Sequence, residues 1–276
     1  MTATGRPVVV TGTGTDVGKT VATAALAVLG RSAGLDVGIC KPVQTGLAPG
    51  EPGDAHEAAR LAGVERVLEV RRLPDPLAPE TAARVAGVPQ STREELLGPI
   101  RDWLGSPGPG PDLGPGPALG PGPDTARGLE LGHPSGSCPP GRMSLIEGAG
   151  GLLVRLGTDL TILDLAAGLD APLVVVARAG LGTLSDTELT VRAIEAAGLH
   201  CAGIVVGSWP FDPDPAERCN LEDLPRLTGV PVLGRIPQGA GGLAPDEFCD
   251  RATGWFDTEA WFAACPDFFG RTSQAS

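Results

Sequence analysis

The chain is poor in the features that would place it at a membrane, on nucleic acid or around a structural metal. No apolar run reaches the roughly 18–20 residues that a spanning helix needs. Met1-Thr2-Ala3-Thr4-Gly5-Arg6 carries no apolar export stretch, so the expected compartment is the cytoplasm. Positive charge is scarce: 21 Lys and Arg face 33 Asp and Glu, for a net charge of −12. A binder of phosphate backbones or anionic lipid needs the opposite balance, which argues against nucleic-acid and membrane partners. Only 3 histidines occur, and no two share a metal-ligand spacing. The 6 cysteines contain no C-x-x-C pair, which excludes zinc-knuckle and thioredoxin-like readings and leaves free thiols as the expected state.

Hydrophobic residues make up 42% of the 276, enough for a sizeable core. Glycine and proline are concentrated rather than spread. Residues 105–142 hold 11 Gly and 10 Pro, a density that neither helix nor central strand tolerates. The expectation is a disordered, low-complexity insertion. The rest of the chain alternates strand and helix. Pro7–Val10, Val37–Lys41, Met143–Ile146, Leu173–Ala177, Ile204–Val206 and Val232-Leu233 read as strands. Helices are expected from Val21 to Arg31, after a capping box at Ser91–Glu94, and after another at Ser185–Glu188 running to about Ala197. Gly98-Pro99 should weaken or kink the second of these.

The strands are continuous apolar runs, the mark of burial on both faces. Alternation with helices then predicts an α/β fold with a doubly wound, mostly parallel sheet. Residues 1–240 would form one domain that carries the insertion, and 241–276 show no clear pattern. Ligands of such sheets bind beyond the carboxyl ends of the strands.

Gly12-Thr13-Gly14-Thr15-Asp16-Val17-Gly18-Lys19-Thr20 follows the first strand there. It is a phosphate-loop variant: small residues let backbone N–H groups curl around a polyphosphate, Lys19 adds a cation, and Thr20 offers a hydroxyl to Mg²⁺. Glu147 ends the Ser144–Ile146 strand, where a carboxylate serves the metal, and Gly148-Ala149-Gly150-Gly151 leaves room for substrate. Asp54 lies in a loop after the second strand, either as a further metal ligand or as the N-cap of a helix through Arg60. Lys41 closes that strand in Lys41-Pro42-Val43-Gln44-Thr45-Gly46, either pointing into the crevice or solvated.

Together these motifs resemble the dethiobiotin synthetase family in order and spacing. Gly182-Thr183-Leu184 and Gly234-Arg235-Ile236-Pro237 add to the likeness, which runs from about Val8 to Pro237. The resemblance implies a P-loop NTPase fold and a cyclo-ligase of biotin synthesis. That enzyme joins CO₂ (or bicarbonate) to 7,8-diaminopelargonate, also called 7,8-diaminononanoate, and splits ATP to ADP and phosphate. It implies that Gly14 to Val21, Asp54 and Glu147 to Gly150 bind nucleotide, and that Thr20, Asp54 and Glu147 hold Mg²⁺. Lys41 would hold a carbamate, with Thr15, Thr45 and Gly151 nearby. It further implies a homodimer, in which Gly180–Thr187 meets the distal carboxylate of substrate bound to the other subunit. Here the chain departs from the family: Ser185-Asp186 stands where Asn and a second polar residue are common. Asp186 would be unfavourable beside a carboxylate unless it turns away.

The base pocket also departs. Gly207-Ser208 follows the Ile204–Val206 strand where the family commonly has Asn-Asp, and Pro237, Gln238 and Gly239 lie near by. Without a side-chain amide, ATP or another NTP is expected to serve. Two rival readings are an amidoligase-type and a partition-type P-loop ATPase. The first normally carries a glutaminase domain, for which the residues after Pro237 are too few. The second carries an extra lysine early in the loop, and positions 11 to 18 contain none.

Overall fold

The computed structural model describes residues 6–48, 50–106 and 141–264. The strands are β1 (Arg6–Gly12), β2 (Asp36–Thr45), β3 (Arg66–Leu73), β4 (Arg142–Glu147), β5 (Arg155–Gly157), β6 (Leu160–Thr161), β7 (Leu173–Ala177), β8 (Cys201–Trp209) and β9 (Val232–Pro237). The helices are α1 (Lys19–Ser32), α2 (Asp54–Ala62), α3 (Pro79–Val85), α4 (Arg93–Gly105), α5 (Ile162–Leu169), α6 (Thr183–Ala196), α7 (Pro215–Thr228), α8 (Pro245–Ala252) and α9 (Thr258–Ala264). Seven strands form one sheet in the order β3-β2-β4-β1-β7-β8-β9. Every pairing within it is parallel. β5 and β6 form a separate antiparallel pair.

Apolar runs make this sheet because both of its faces are covered. In β1, Val8 and Val10 join a core with α1, α2 and α8, whereas Val9 joins the core on the opposite face with α4 and α5. All three valines are fully buried. From β1 the chain crosses to β2 on one side and later returns through β7 on the other. β1 therefore lies at the switch point of the sheet, where loops diverge and leave a crevice.

Several expected boundaries shift. β2 does not end at Lys41 but continues to Thr45. β4 pairs with β2 only as far as Cys40, so the proline at position 42 falls where β2 is paired with β3 alone and is tolerated. The capping box of α4 is Thr92 with Glu95, one residue later than expected, and the helix runs on through Pro99. No capping box opens α6: Gly182 is its N-cap, in the left-handed region at φ 90°. Residues 245–264 are not featureless. They form α8 and α9, and Phe248 and Trp261 are buried in the same core as α1.

The glycine- and proline-rich stretch from 107 to 140 lies outside the described residues. The described residues on either side of it are close in space, since Arg142 Nη1 donates to the Ser106 carbonyl at 3.0 Å. Replacing Pro107–Pro140 by a short Gly/Ser linker is therefore expected to leave activity and melting temperature nearly unchanged. Loss of most activity in a folded deletion protein would show that the segment is functional.

Candidate active site

The loop from Gly12 to Thr20 leaves β1 and enters α1. Its path is held from both neighbouring strands: the Thr13 amide donates to the Val176 carbonyl at 3.0 Å, and the Gly148 amide donates to the Val10 carbonyl at 2.9 Å. Asp16 and Gly18 take left-handed backbone angles, φ 58° and 89°. Val17 is buried beneath the loop, while Thr15 and Asp16 face outward. The N-terminus of α1 is thereby aimed into the crevice with its first amide groups free for an anion.

Lys19 is nearly buried, and its Nζ donates to the Gly14 carbonyl at 2.8 Å. Burial, then the neighbouring Lys41, hold its ammonium below the usual lysine range. Lys41 projects from β2 at 3% exposure into a cluster of acceptors. Its Nζ lies 2.6 Å from Asp54 Oδ2, 2.8 Å from Glu147 Oε1 and 3.1 Å from the Gly148 carbonyl. Burial opposes its charge, but the carboxylates of Glu147 and Asp54 outweigh burial and hold the ammonium above its ordinary value. Thr20 Oγ1 donates to the same Glu147 Oε1 at 3.0 Å. Glu147 is 1% exposed, and its second oxygen, Oε2, has no hydrogen-bond partner.

These groups line one cavity of about 410 Å³. It gathers Thr15, Asp16, Gly18, Lys19, Thr20, Val21, Lys41, Thr45, Asp54, Glu147, Ala149 and Gly150. Gly14, Gly148 and Gly151 do not line it but touch residues beside it: the Gly14 carbonyl accepts from Lys19. The Gly148 carbonyl accepts from Lys41, and Gly151 faces Gly12 and Gly14, where a Cβ would make ordinary contact at 3.5–3.6 Å from their backbone. Asp54 is the first residue of α2 rather than its cap: Gly53 occupies the cap position. The Asp54 amide instead donates to Gln44 Oε1 at 2.8 Å. Gln44 and Val43 also line the cavity and had no role expected from sequence. The extension of β2 beyond Lys41 is what brings them there.

The residues expected at the base are placed differently. Gly207 is buried against the loop, while Ser208, Pro237, Gln238 and Gly239 are exposed and none of the five lines the cavity. The Gln238 amide donates to the Trp209 carbonyl at 2.7 Å, tying the ends of β8 and β9 together. Gly241 reaches α1, where a Cβ would stand 3.0 Å from Val21. Asp186 faces a cation within its own chain: its Oδ2 lies 3.4 Å from Nη2 of Arg178, a residue that sequence reasoning overlooked.

A parallel sheet with a phosphate loop at its switch point, a buried lysine in the loop and a carboxylate at the end of the adjacent strand define a P-loop nucleotide-hydrolysing protein. The family model for an AAA domain matches residues 6–94 and 141–241. The cell division ATPase MinD of Pyrococcus furiosus shares the fold, with a TM-score of 0.51 and 17% identity over 95% of this chain and 99% of that one. Sequence similarity is far narrower. The chain is 52% identical to the ATP-dependent dethiobiotin synthetase BioD of Rhodococcus jostii, across 91% of this chain and 94% of that protein. It is 47% identical to the Streptomyces avermitilis enzyme of the same name over 90% of both chains, and 42% identical to that of Corynebacterium kroppenstedtii over 98% of both. The chain belongs to the ATP-dependent dethiobiotin synthetase family.

Proposed function

We propose that this chain is a cyclo-ligase that converts 7,8-diaminopelargonate, CO₂ and ATP into dethiobiotin, ADP and phosphate. The observation that carries this reading is Lys41, buried between Asp54, Glu147 and Gly148 at the edge of the phosphate loop. A partition-type ATPase carries its extra lysine within the loop, whereas Lys41 comes from β2, where an enzyme that handles an anionic carbamate needs a cation.

One amine of the substrate adds to CO₂ and loses a proton to give a carbamate. A carbamate is a poor electrophile. Its oxygen therefore attacks the γ-phosphorus, ADP departs, and a carbamic–phosphoric anhydride results. The second amine attacks the anhydride carbonyl, phosphate leaves, and the ring closes with loss of a proton. Negative charge gathers on phosphoryl and carbamate oxygens, and fixed cations stabilise it by several kcal/mol. Lys19 serves the phosphates. Lys41 serves the carbamate, with Thr15 and Thr45 as neighbouring donors. All three Lys41 N–H donors are used in this structure, so holding a carbamate requires it to release at least one present acceptor.

Thr20, Asp54 and Glu147 are the residues that would hold Mg²⁺. The unpartnered, buried Oε2 of Glu147 and the hard oxygen character of all three groups fit that ion. When bound, Mg²⁺ neutralises charge on the β- and γ-phosphate oxygens. The protein acts in the cytoplasm as a homodimer on this reading. The exposed Leu153, Leu181 and Leu189 supply apolar surface for a second subunit to cover.

Detection of dethiobiotin from purified protein, diaminopelargonate, bicarbonate and Mg-ATP tests the assignment. Steady ATP hydrolysis that ignores both substrates would overturn it. The base end makes a further expectation. With a buried glycine at 207 in place of the family's amide, discrimination is expected to fall to shape, which supplies about 1–3 kcal/mol or roughly 10–200-fold. kcat/KM for CTP, GTP and UTP should lie within that range of ATP. A preference for ATP above about a thousandfold would exceed what shape supplies and refute this.

A further inference from the structure

We propose that Arg178 is an oxyanion-binding residue at the mouth of the phosphate loop, a third cation for the reaction assigned above and resting on that assignment for its substrate. The sheet itself puts Arg178 there. β7 lies beside β1 in parallel register with Val176 opposite Gly12. Two residues later the chain emerges at the same carboxyl edge as the loop. Nη2 of Arg178 stands 3.9 Å from the place a Cβ would occupy at Gly14. The carbonyl of that same Gly14 accepts from Lys19. Two cations thus flank one peptide of the loop, Lys19 from the buried side and Arg178 from the exposed side.

The way Arg178 is held suits a group waiting for an anion. A structural arginine uses many of its donors: Arg66, in this same protein, bonds Ser144 and the Trp103 carbonyl and stacks on the Trp103 ring at 3.9 Å. Arg178 is half exposed, and its one polar partner among the described residues is Asp186, 3.4 Å away and itself 40% exposed. An ion pair this open to water is weak and easily exchanged. A guanidinium offers a planar fork that matches phosphoryl or carboxylate oxygens better than an ammonium does. Asp186 sits on the first turn of α6, where the helix dipole favours its negative charge. It parks the guanidinium beside the loop until an oxyanion displaces it. This pairing also gives the acidic residue at position 186 a physical reason: it balances Arg178 rather than facing the substrate.

Two oxyanions that bind before the reaction begins are candidates for this mouth, the terminal phosphoryl group of the nucleotide and the carboxylate of diaminopelargonate. The experiment separates them. In the full-length protein, Arg178→Ala, Arg178→Lys, Asp186→Asn and the double variant Arg178→Ala/Asp186→Asn are compared. Binding of ADP and of a non-hydrolysable ATP analogue is measured by calorimetry with Mg²⁺, alongside kcat, KM for diaminopelargonate and melting temperature. A lost charge-assisted bond corresponds to about tenfold or more. Arg178→Ala should therefore weaken the triphosphate analogue by that factor while ADP binding and melting temperature stay near wild type. If the carboxylate is the ligand, the same factor appears in KM for diaminopelargonate instead. Arg178→Lys should restore part of either loss. Asp186→Asn should tighten binding of the affected ligand a few-fold, and the gain should vanish in the double variant.

Unchanged binding and kinetics in Arg178→Ala would overturn the proposal. So would equal weakening of ADP and triphosphate with a lower melting temperature, which marks a scaffold role, or an Asp186→Asn gain that survives without Arg178. If the wild-type protein made no dethiobiotin, the assigned reaction would fall, while calorimetry with the ATP analogue and with diaminopelargonate itself as titrants, which needs no turnover, would still decide Arg178.

Discussion

Lys41→Ala is expected to lower turnover by about 10²–10³-fold, the range seen when one fixed donor to a developing oxyanion is removed, while nucleotide binding persists. Lys19→Ala is expected to lose both. The difference follows from where the two ammonium groups sit. Lys19 is part of the loop that wraps the phosphates, bonded to Gly14 within it. Removing a charge-assisted bond of that kind costs about 1.5–3 kcal/mol, or roughly 10–100-fold in affinity. Lys41 comes from a different strand, and its contacts are to Asp54, Glu147 and Gly148 rather than to the loop. Its loss leaves the loop intact and removes the cation from the carbamate. It also leaves Glu147 buried without its counter-ion, and breaking a buried pair in this way costs about 3–5 kcal/mol of stability. The variant is therefore assayed with Mg²⁺ present, with its melting temperature recorded, and beside Lys41→Gln. Calorimetry with nucleotide on the variants is the deciding measurement. If Lys41→Ala loses nucleotide as severely as Lys19→Ala, the division of roles is wrong.

The phosphate loop was readable from sequence because its physics is local: small residues, a lysine and a threonine at fixed spacing between a strand and a helix. The central strands were readable because burial on both faces leaves an uninterrupted apolar run, as in Leu173–Ala177, whose bounds the structure reproduces. β3 was not. It is an edge strand, and Arg66, Glu69, Arg71 and Arg72 break any apolar pattern. Yet β3 shapes the site, because Glu69 and Gln44 press on Gly53 at the start of α2: a Cβ there would meet Glu69 Oε1 at 2.0 Å and Gln44 Oε1 at 2.9 Å. The run-on of β2 past Pro42 was hidden for a related reason. A proline reads as a strand end unless the neighbouring strand is known to have stopped. Capping boxes misled at Ser185 because glycine at 182 closes the turn by backbone geometry, and no hydroxyl is needed. Arg178 carries no motif at all, and only the adjacency of β7 to β1 reveals it.

Gly207 shows how a residue is read differently once its neighbours are known. In sequence it is an absence, a missing amide at the base pocket. In the structure it is a contact: a Cβ at 207 would stand 1.9 Å from the Val17 carbonyl oxygen and 2.8 Å from Val176. The loop comes equally close from its own side, since a Cβ at Gly18 would lie 2.6 Å from the Gly207 carbonyl oxygen. Two glycines thus let β8 and the phosphate loop touch backbone to backbone. Gly207→Ala is expected to push Val17 and the loop outward. Overpacking of this kind costs about 1–3 kcal/mol, which for a domain of this size lowers the melting temperature by roughly 2–12 °C. Displacing Val17 also disturbs the amides at the start of α1, and nucleotide affinity should fall by about tenfold or more. An asparagine at 207 should do worse, despite restoring the amide, because the clash begins at the Cβ. Ser208→Ala, at an exposed position one residue on, serves as the control and should leave both quantities nearly unchanged. Calorimetry with ADP and thermal melting decide the matter. Wild-type affinity and stability in Gly207→Ala would mean that the loop is not seated on β8, and position 207 would again have to be explained from the base.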